Sequence, residues 1–100
     1  MAYNDHFASH LRLTILRVLS ELPGYKSNDS LLTSAADAVG VPATRDQVRT
    51  ELAWLAEQRL VVTDEPGLMR LVIAVATERG LDVAAGRAHV PGVQRPAPRF

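Results

Sequence analysis

The sequence predicts a mostly helical α+β domain of the winged helix-turn-helix class, with three helices, a β-hairpin wing, a short C-terminal helix and an extended tail. Three observations predict it. Thr44 to Val62 reads as a capped helix running straight into a strand; a shorter helix ending at Gly40 precedes it across a tight turn; and a Pro66-Gly67 turn between β-favouring segments follows it. The domain is expected over residues 1–86, and residues 87–100 are expected to form a basic, Pro-rich, extended or disordered tail.

Phe7, Ala8, Leu11, Ile15, Val18, Leu19 and Leu22 repeat at the spacing of one helical face, and Pro23-Gly24 ends that first helix. Leu13 and Leu16 fall off the stripe, which leaves two readings: partly exposed leucines, or a second contact surface for a C-terminal helix or a twin subunit. Tyr25 to Ser30 is polar and turn-like, and Ser27 or Asn28 can accept the open N–H groups of a second helix. Leu31, Leu32, Ala35, Ala36 and Val39 are expected on its buried side, with Gly40 at its end. In the third helix Thr44 and Gln47 have the spacing of a capping box, and Val48, Leu52, Leu55 and Ala56 form the apolar stripe, continued by Leu60. Val61 to Thr63 and Met69 to Ala76 are the hairpin strands, the second apolar on both faces toward its end. Thr77 caps a last helix carrying Leu81, Ala84 and Ala85, which Gly86 ends. Gly80 in its first turn costs about 1 kcal/mol against Ala, so a close backbone approach is expected there.

The chain has 100 residues, no Cys and a formal net charge of zero. One small core follows from the length, and the missing thiols remove disulfides and thiolate metal sites. No leader or long apolar run is visible, so a soluble cytoplasmic protein with no membrane partner is expected. Zero net charge argues against strong non-specific attraction to phosphate. The segment after Gly86 is the one clearly basic stretch, with Arg87, Arg95 and Arg99. The third helix and its exit balance Arg45, Arg49 and Arg59 against Asp46, Glu51 and Glu57.

A winged helix-turn-helix places the N-terminal residues of its third helix in the major groove. Arg45, Asp46, Arg49 and Thr50 are therefore the expected DNA-facing side chains, with Arg49 able to make a bidentate guanine contact and Thr50 able to donate to phosphate. Arg70 beyond the wing turn and Arg87 in the tail are expected to add phosphate contacts, although Asp64 and Glu65 on the hairpin oppose that role. The bland alternative is a solvated face whose arginines pair with Asp46, Glu51 or Glu57. Trp54 reads as an edge-of-core or interface residue. His6 and His10 share a helix face without further ligands, so no metal and no cofactor is assigned. No phosphate loop, serine elbow or zinc-protease helix is present, and the Asp64-Glu65 pair sits on a hairpin tip, so no enzyme and no small-molecule ligand is expected. Leu13, Leu16, Leu81 and Ala84 are the expected homodimer contacts, because the apolar surface of their helices exceeds what one small core absorbs.

Several stretches resemble a family of small proteins from Mu-like bacteriophages and prophages, labelled as winged-helix regulators of the arsenic-repressor (ArsR) type. The resemblance covers nearly the whole chain. Its specific parts are Arg45-Asp46-Gln47-Val48-Arg49, Leu52-Ala53-Trp54-Leu55, Gly86-Arg87 and Val90-Pro91-Gly92-Val93; Pro23-Gly24-Tyr25, Ser30-Leu31-Leu32, Glu57 to Val61, Thr77 to Arg87 and Arg95-Pro96 add to it. It implies a phage-encoded, dimeric protein of the host cytoplasm, without the thiolate sensing site of arsenic repressors. Arg59 stands where Gly is expected between the third helix and the first wing strand. The function expected is a transcriptional regulator acting as a homodimer on double-stranded DNA; the alternative is a protein-protein interaction module in phage development without significant DNA affinity.

Overall fold

The structure, a computed structural model, describes residues 3–67 and 70–97. Leu68 and Met69, expected at the hairpin turn and at the start of its second strand, lie outside those residues, as does Arg99. Among the described residues four helices and a three-stranded antiparallel sheet form an α+β domain that is mostly helical: α1 (Tyr3–Ser20), a 3-10 turn (Pro23–Tyr25), β1 (Lys26–Asn28), α2 (Asp29–Ala38), α3 (Arg45–Glu57), β2 (Val61–Asp64), β3 (Ile73–Ala76) and α4 (Glu78–Ala85). The element order is compatible with a winged helix.

Helix α1 runs through the middle of the domain, packed against α2, α3, α4 and β3. Leu13 and Leu16 are 5% and 0% exposed and belong to the core; partial exposure and a twin-subunit contact are corrected, whereas contact with a C-terminal helix fits, since α1 packs against α4 and a Leu16 methyl lies beside Gly80. A helix covered on several sides buries more than one stripe, so a single apolar face understates its core. Thr14, also buried, donates to the His10 carbonyl at 2.9 Å and so needs no outside partner.

Lys26–Asn28, read as a turn, is instead the edge strand β1, pairing with β3 at Lys26↔Val75, Ser27↔Ala74 and Asn28↔Ile73. Three polar residues carry no alternation to reveal a strand, and the backbone pairing is supplied from a segment far along the chain. The sheet order is β1-β3-β2. Strand β3 is shorter than the expected run from Met69: Arg70 has φ +53°, which interrupts the extended backbone.

Asn28 caps α2, accepting from the Leu31 N–H at 2.9 Å. Leu32 and Ala36 carry the buried side of α2, whereas Leu31 and Val39, expected there, are exposed; Val41, just past the helix, takes up the core position. Around α3 the capping box is complete, with Gln47 N–H donating to Thr44 Oγ1 at 3.1 Å and Thr44 N–H donating to Gln47 Oε1 at 2.8 Å. Val48, Leu52, Leu55 and Leu60 are all fully buried. Leaving α3, the chain turns through Arg59 at φ +62°, and the Leu60 N–H returns to the Leu55 carbonyl at 2.9 Å. That is a helix-ending turn in which Gly is ordinarily favoured. Since Arg59 is exposed, Arg59→Gly is expected to raise unfolding free energy by roughly 0.5–1 kcal/mol in urea titrations; a loss of stability would show that the arginine side chain outweighs the backbone strain.

In α4 the buried residues are Gly80, Val83 and Ala84; Leu81 is half-buried and Ala85 exposed, so Val83 replaces Ala85 on the expected stripe. Gly80 lies directly against the Leu60 carbonyl, the close approach that its position in a first turn suggested. The boundary expected at Gly86 does not divide the structure. Val90 and Val93 are 4% and 3% exposed within the same core, and the Gln94 N–H donates to the Ser9 carbonyl at 3.2 Å. Residues 88–94 are thus a strap over α1, not a free arm.

Candidate nucleic-acid interface

Asp29 opens α2 and is fully buried. Its Oδ2 accepts from Arg45 Nε at 2.8 Å and from Arg49 Nε at 2.5 Å, and its Oδ1 accepts from the Val72 N–H at 3.1 Å. The Asp29 N–H in turn donates to the Val72 carbonyl at 3.0 Å. Arg45 and Arg49 are four apart on α3, so they leave the same helix face. Both also donate through Nη2 to the Arg70 carbonyl, Arg45 at 3.0 Å. One carboxylate thereby joins the start of α2, the N-terminal half of α3 and the returning arm of the hairpin.

Burial alone would push the Asp29 carboxyl up; hydrogen bonds from Arg45, Arg49 and the Val72 N–H, with the charge of Arg45, outweigh it and hold the pKa at about 2. The hydrogen bond to Asp29 raises the Arg49 pKa against its desolvation, and the negative charges of Glu65 and Asp46 add to the effect. Arg49, beside Arg45, therefore remains cationic at any ordinary pH. The Arg45 and Arg49 side chains are 43% and 35% exposed, so the buried carboxylate orients them without covering them.

This arrangement gathers Arg45, Arg49 and Arg70, but not with the expected roles. The arginines pair neither with Asp46 nor with Glu51 or Glu57 but with Asp29, 16 and 20 residues away. Asp29 was missed because an acid opening a helix ordinarily reads as a dipole-matching residue. Arg70 contributes its carbonyl to the cluster, and a positive φ places it there. Asp46 is exposed beside the pair. Thr50, expected to donate to phosphate, donates instead to the Asp46 carbonyl at 2.9 Å. Arg87 lies beyond α4, paired with Asp82 at 3.0 Å, and does not join the cluster.

Of the expected dimer contacts, Leu13, Leu16 and Ala84 are buried within the chain and Leu81 is half-buried, so none offers an open apolar surface. A second cluster secures the strap. Arg12 donates through Nε to Glu51 at 2.7 Å and through Nη1 to the Gly92 carbonyl at 2.9 Å, with its guanidinium 3.9 Å from the centre of the Trp54 ring. Gly92 has φ +99°, and a Cβ there would stand 2.7 Å from the Trp54 ring. Among the described residues no group of three or more His, Cys, Asp or Glu side chains is placed to hold a metal ion, and no helix is long and apolar enough to cross a membrane.

The fold and this cluster define a small α+β protein that presents two carboxylate-oriented arginines from one helix. Relatives occur in Escherichia phage Mu and in Haemophilus influenzae. Over 96 residues the chain is 44% identical to gp26 of Escherichia phage Mu, described as an uncharacterized protein, a match spanning 96% of this chain and 97% of that one. An uncharacterized protein of Haemophilus influenzae strain Rd is 39% identical over 83 residues, spanning 81% of this chain and 78% of its own. The chain belongs to the family of Mu gp26. No family model and no solved structure matches it.

Proposed function

We propose that the chain is a winged-helix protein that docks α3 against double-stranded DNA and acts as a homodimeric transcriptional regulator in the host cytoplasm. The observation that carries this reading is the placement of Arg45 and Arg49 side by side near the N-terminus of α3, oriented by Asp29. Guanidinium groups already held in place lose little further freedom on meeting a phosphate. Each Nη nitrogen carries two N–H groups, so Arg49 keeps Nη1 and one N–H of Nη2 free while it holds Asp29 and the Arg70 carbonyl, enough to meet a phosphate or a guanine edge without leaving either. Phosphate docking is the contact this reading assigns to the pair. The reading includes no thiolate sensor of the arsenic-repressor kind, since the chain has no Cys.

A second reading, a protein-protein interaction module in phage development without significant DNA affinity, is supported by the charge balance. Asp29, Asp46 and Glu65 offset Arg45, Arg49 and Arg70 on this face, and the whole chain is formally neutral.

Fluorescence anisotropy with random and phage duplexes at several salt concentrations tests the first reading. Binding is expected at low salt, weakening with a log-log slope near −0.9 for each phosphate contacted. Arg49→Ala is expected to weaken binding to all duplexes alike and to reduce the slope by about one. Its stability is measured in parallel, because the same residue holds Asp29. Absence of binding at low salt by a folded protein would leave the interaction module as the reading to pursue.

A further inference from the structure

We propose that the outer face of the sheet seats a second copy of this chain, through a two-fold contact in which Lys26 of each copy meets Asp64 of the other. This inference supplies the interface for the homodimer part of the proposed function. Pairing assigns the two faces of the sheet: Val61, Thr63, Ala74 and Ala76 lie on one, and Val62, Asp64, Ile73 and Val75 on the other. The first face is the core side, where Val61, Ala74 and Ala76 are buried; on the second, Val62 is 62% exposed and Ile73 and Val75 are partly buried. Among the described residues no helix covers this outer face fully, so Val62 and the exposed parts of Ile73 and Val75 remain available to a partner.

Its charges select the occupant. Across the strands, one row of the outer face is Lys26, Val75, Val62 and the next is Asn28, Ile73, Asp64. Lys26 and Asp64 therefore stand at opposite corners, roughly 12 Å apart by strand spacing and rise, too far to pair within one chain. A two-fold axis in the interface along the other diagonal, from Asn28 to Val62, exchanges those corners. It sets Val62 against Val62 of the second copy and forms the Lys26–Asp64 pair twice. The strands of the two copies then cross near a right angle, one of the two ordinary ways in which sheets stack. An apolar centre with a charged rim is the usual anatomy of such contacts. The surfaces first expected to mediate dimerisation, around Leu13, Leu16 and Ala84, are consumed by the chain's own core.

Sedimentation equilibrium of the full chain without DNA, over the micromolar range, tests the inference. The unsubstituted protein is expected to dimerise and Val62→Glu to be monomeric, with unchanged helix content by circular dichroism. Lys26→Glu and Asp64→Lys should each weaken the dimer roughly tenfold by turning two attractions into repulsions, and the combined K26E/D64K chain should recover it. A protein that stays monomeric, a dimer indifferent to Val62→Glu, or a double variant as weak as the singles would overturn the proposal. Duplex titration of the unsubstituted protein separates this result from the DNA reading: a dimer without DNA affinity sinks only that reading, and an unsubstituted chain that stays monomeric yet binds DNA sinks only this interface.

Discussion

Asp29→Ala will lower the unfolding free energy by roughly 2–3 kcal/mol at neutral pH. The substitution removes the acceptor shared by Arg45 Nε, Arg49 Nε and the Val72 N–H, and Val72 itself is 8% exposed, so water replaces that acceptor poorly. The partial exposure of both arginines keeps the loss below that of a fully buried ion network. Asp29→Asn is the milder variant, since its amide oxygen can still accept from Val72. The pH dependence has a definite sign. A carboxyl held at about 2 against an ordinary 3.8 stabilises the fold above pH 3.8, and that contribution, about 2 kcal/mol, disappears as the pH falls through 2. Urea titrations at a series of pH values should therefore find the gap between the native chain and Asp29→Asn widest near neutrality and narrowing from pH 4 downward. Equal stability of the two chains at pH 7 would show that the carboxylate charge contributes nothing net.

Gly80→Ala will cost about 3 kcal/mol, although alanine is the better helix former by about 1 kcal/mol. A Cβ at residue 80 overlaps the Leu60 carbonyl oxygen, and the Leu60 carbonyl carbon and a Leu16 methyl lie 3.0 and 3.4 Å away. That carbonyl cannot simply retreat. It accepts from the Thr77 N–H at 3.0 Å and, at 3.1 Å, shares the Thr77 hydroxyl proton with the nearer Arg59 carbonyl at 2.8 Å, while Thr77 Oγ1 accepts from the Gly80 N–H at 3.0 Å to cap α4. Admitting the methyl group means moving α4 off the α3–β2 junction and breaking those bonds. A lowered denaturation midpoint with an unchanged urea slope is the expected signature. An unchanged midpoint would mean that the junction yields more easily than its hydrogen bonds suggest.

Local signals in the chain were legible wherever neighbouring residues satisfied one another. Thr44 and Gln47 cap α3 reciprocally, Val48, Leu52 and Leu55 line its buried side, Thr77 caps α4 and Gly86 ends it at φ +82°. Arg59 was legible as a misfit, and its backbone is indeed left-handed. Each of these depends on partners within a few residues, which spacing alone reveals. Strand β1 and the docking of Val90 and Val93 were not legible, and for Leu13 and Leu16 spacing could not decide between exposure and contact with a C-terminal helix or a twin subunit, because each depends on a surface supplied from elsewhere in the chain.

The candidate site divides the same way. By itself the sequence determined that Arg45 and Arg49 share one face of a capped helix, because an i, i+4 spacing fixes direction. Only the tertiary structure decided what that face is. Folding brings Asp29 beneath both guanidiniums and turns the Arg70 carbonyl toward them, converting a pair that looked free to read bases into one already half engaged. The physical reason is that a buried carboxylate must find donors wherever the fold provides them, and those donors lie 16, 20 and 43 residues away, beyond the reach of any local pattern.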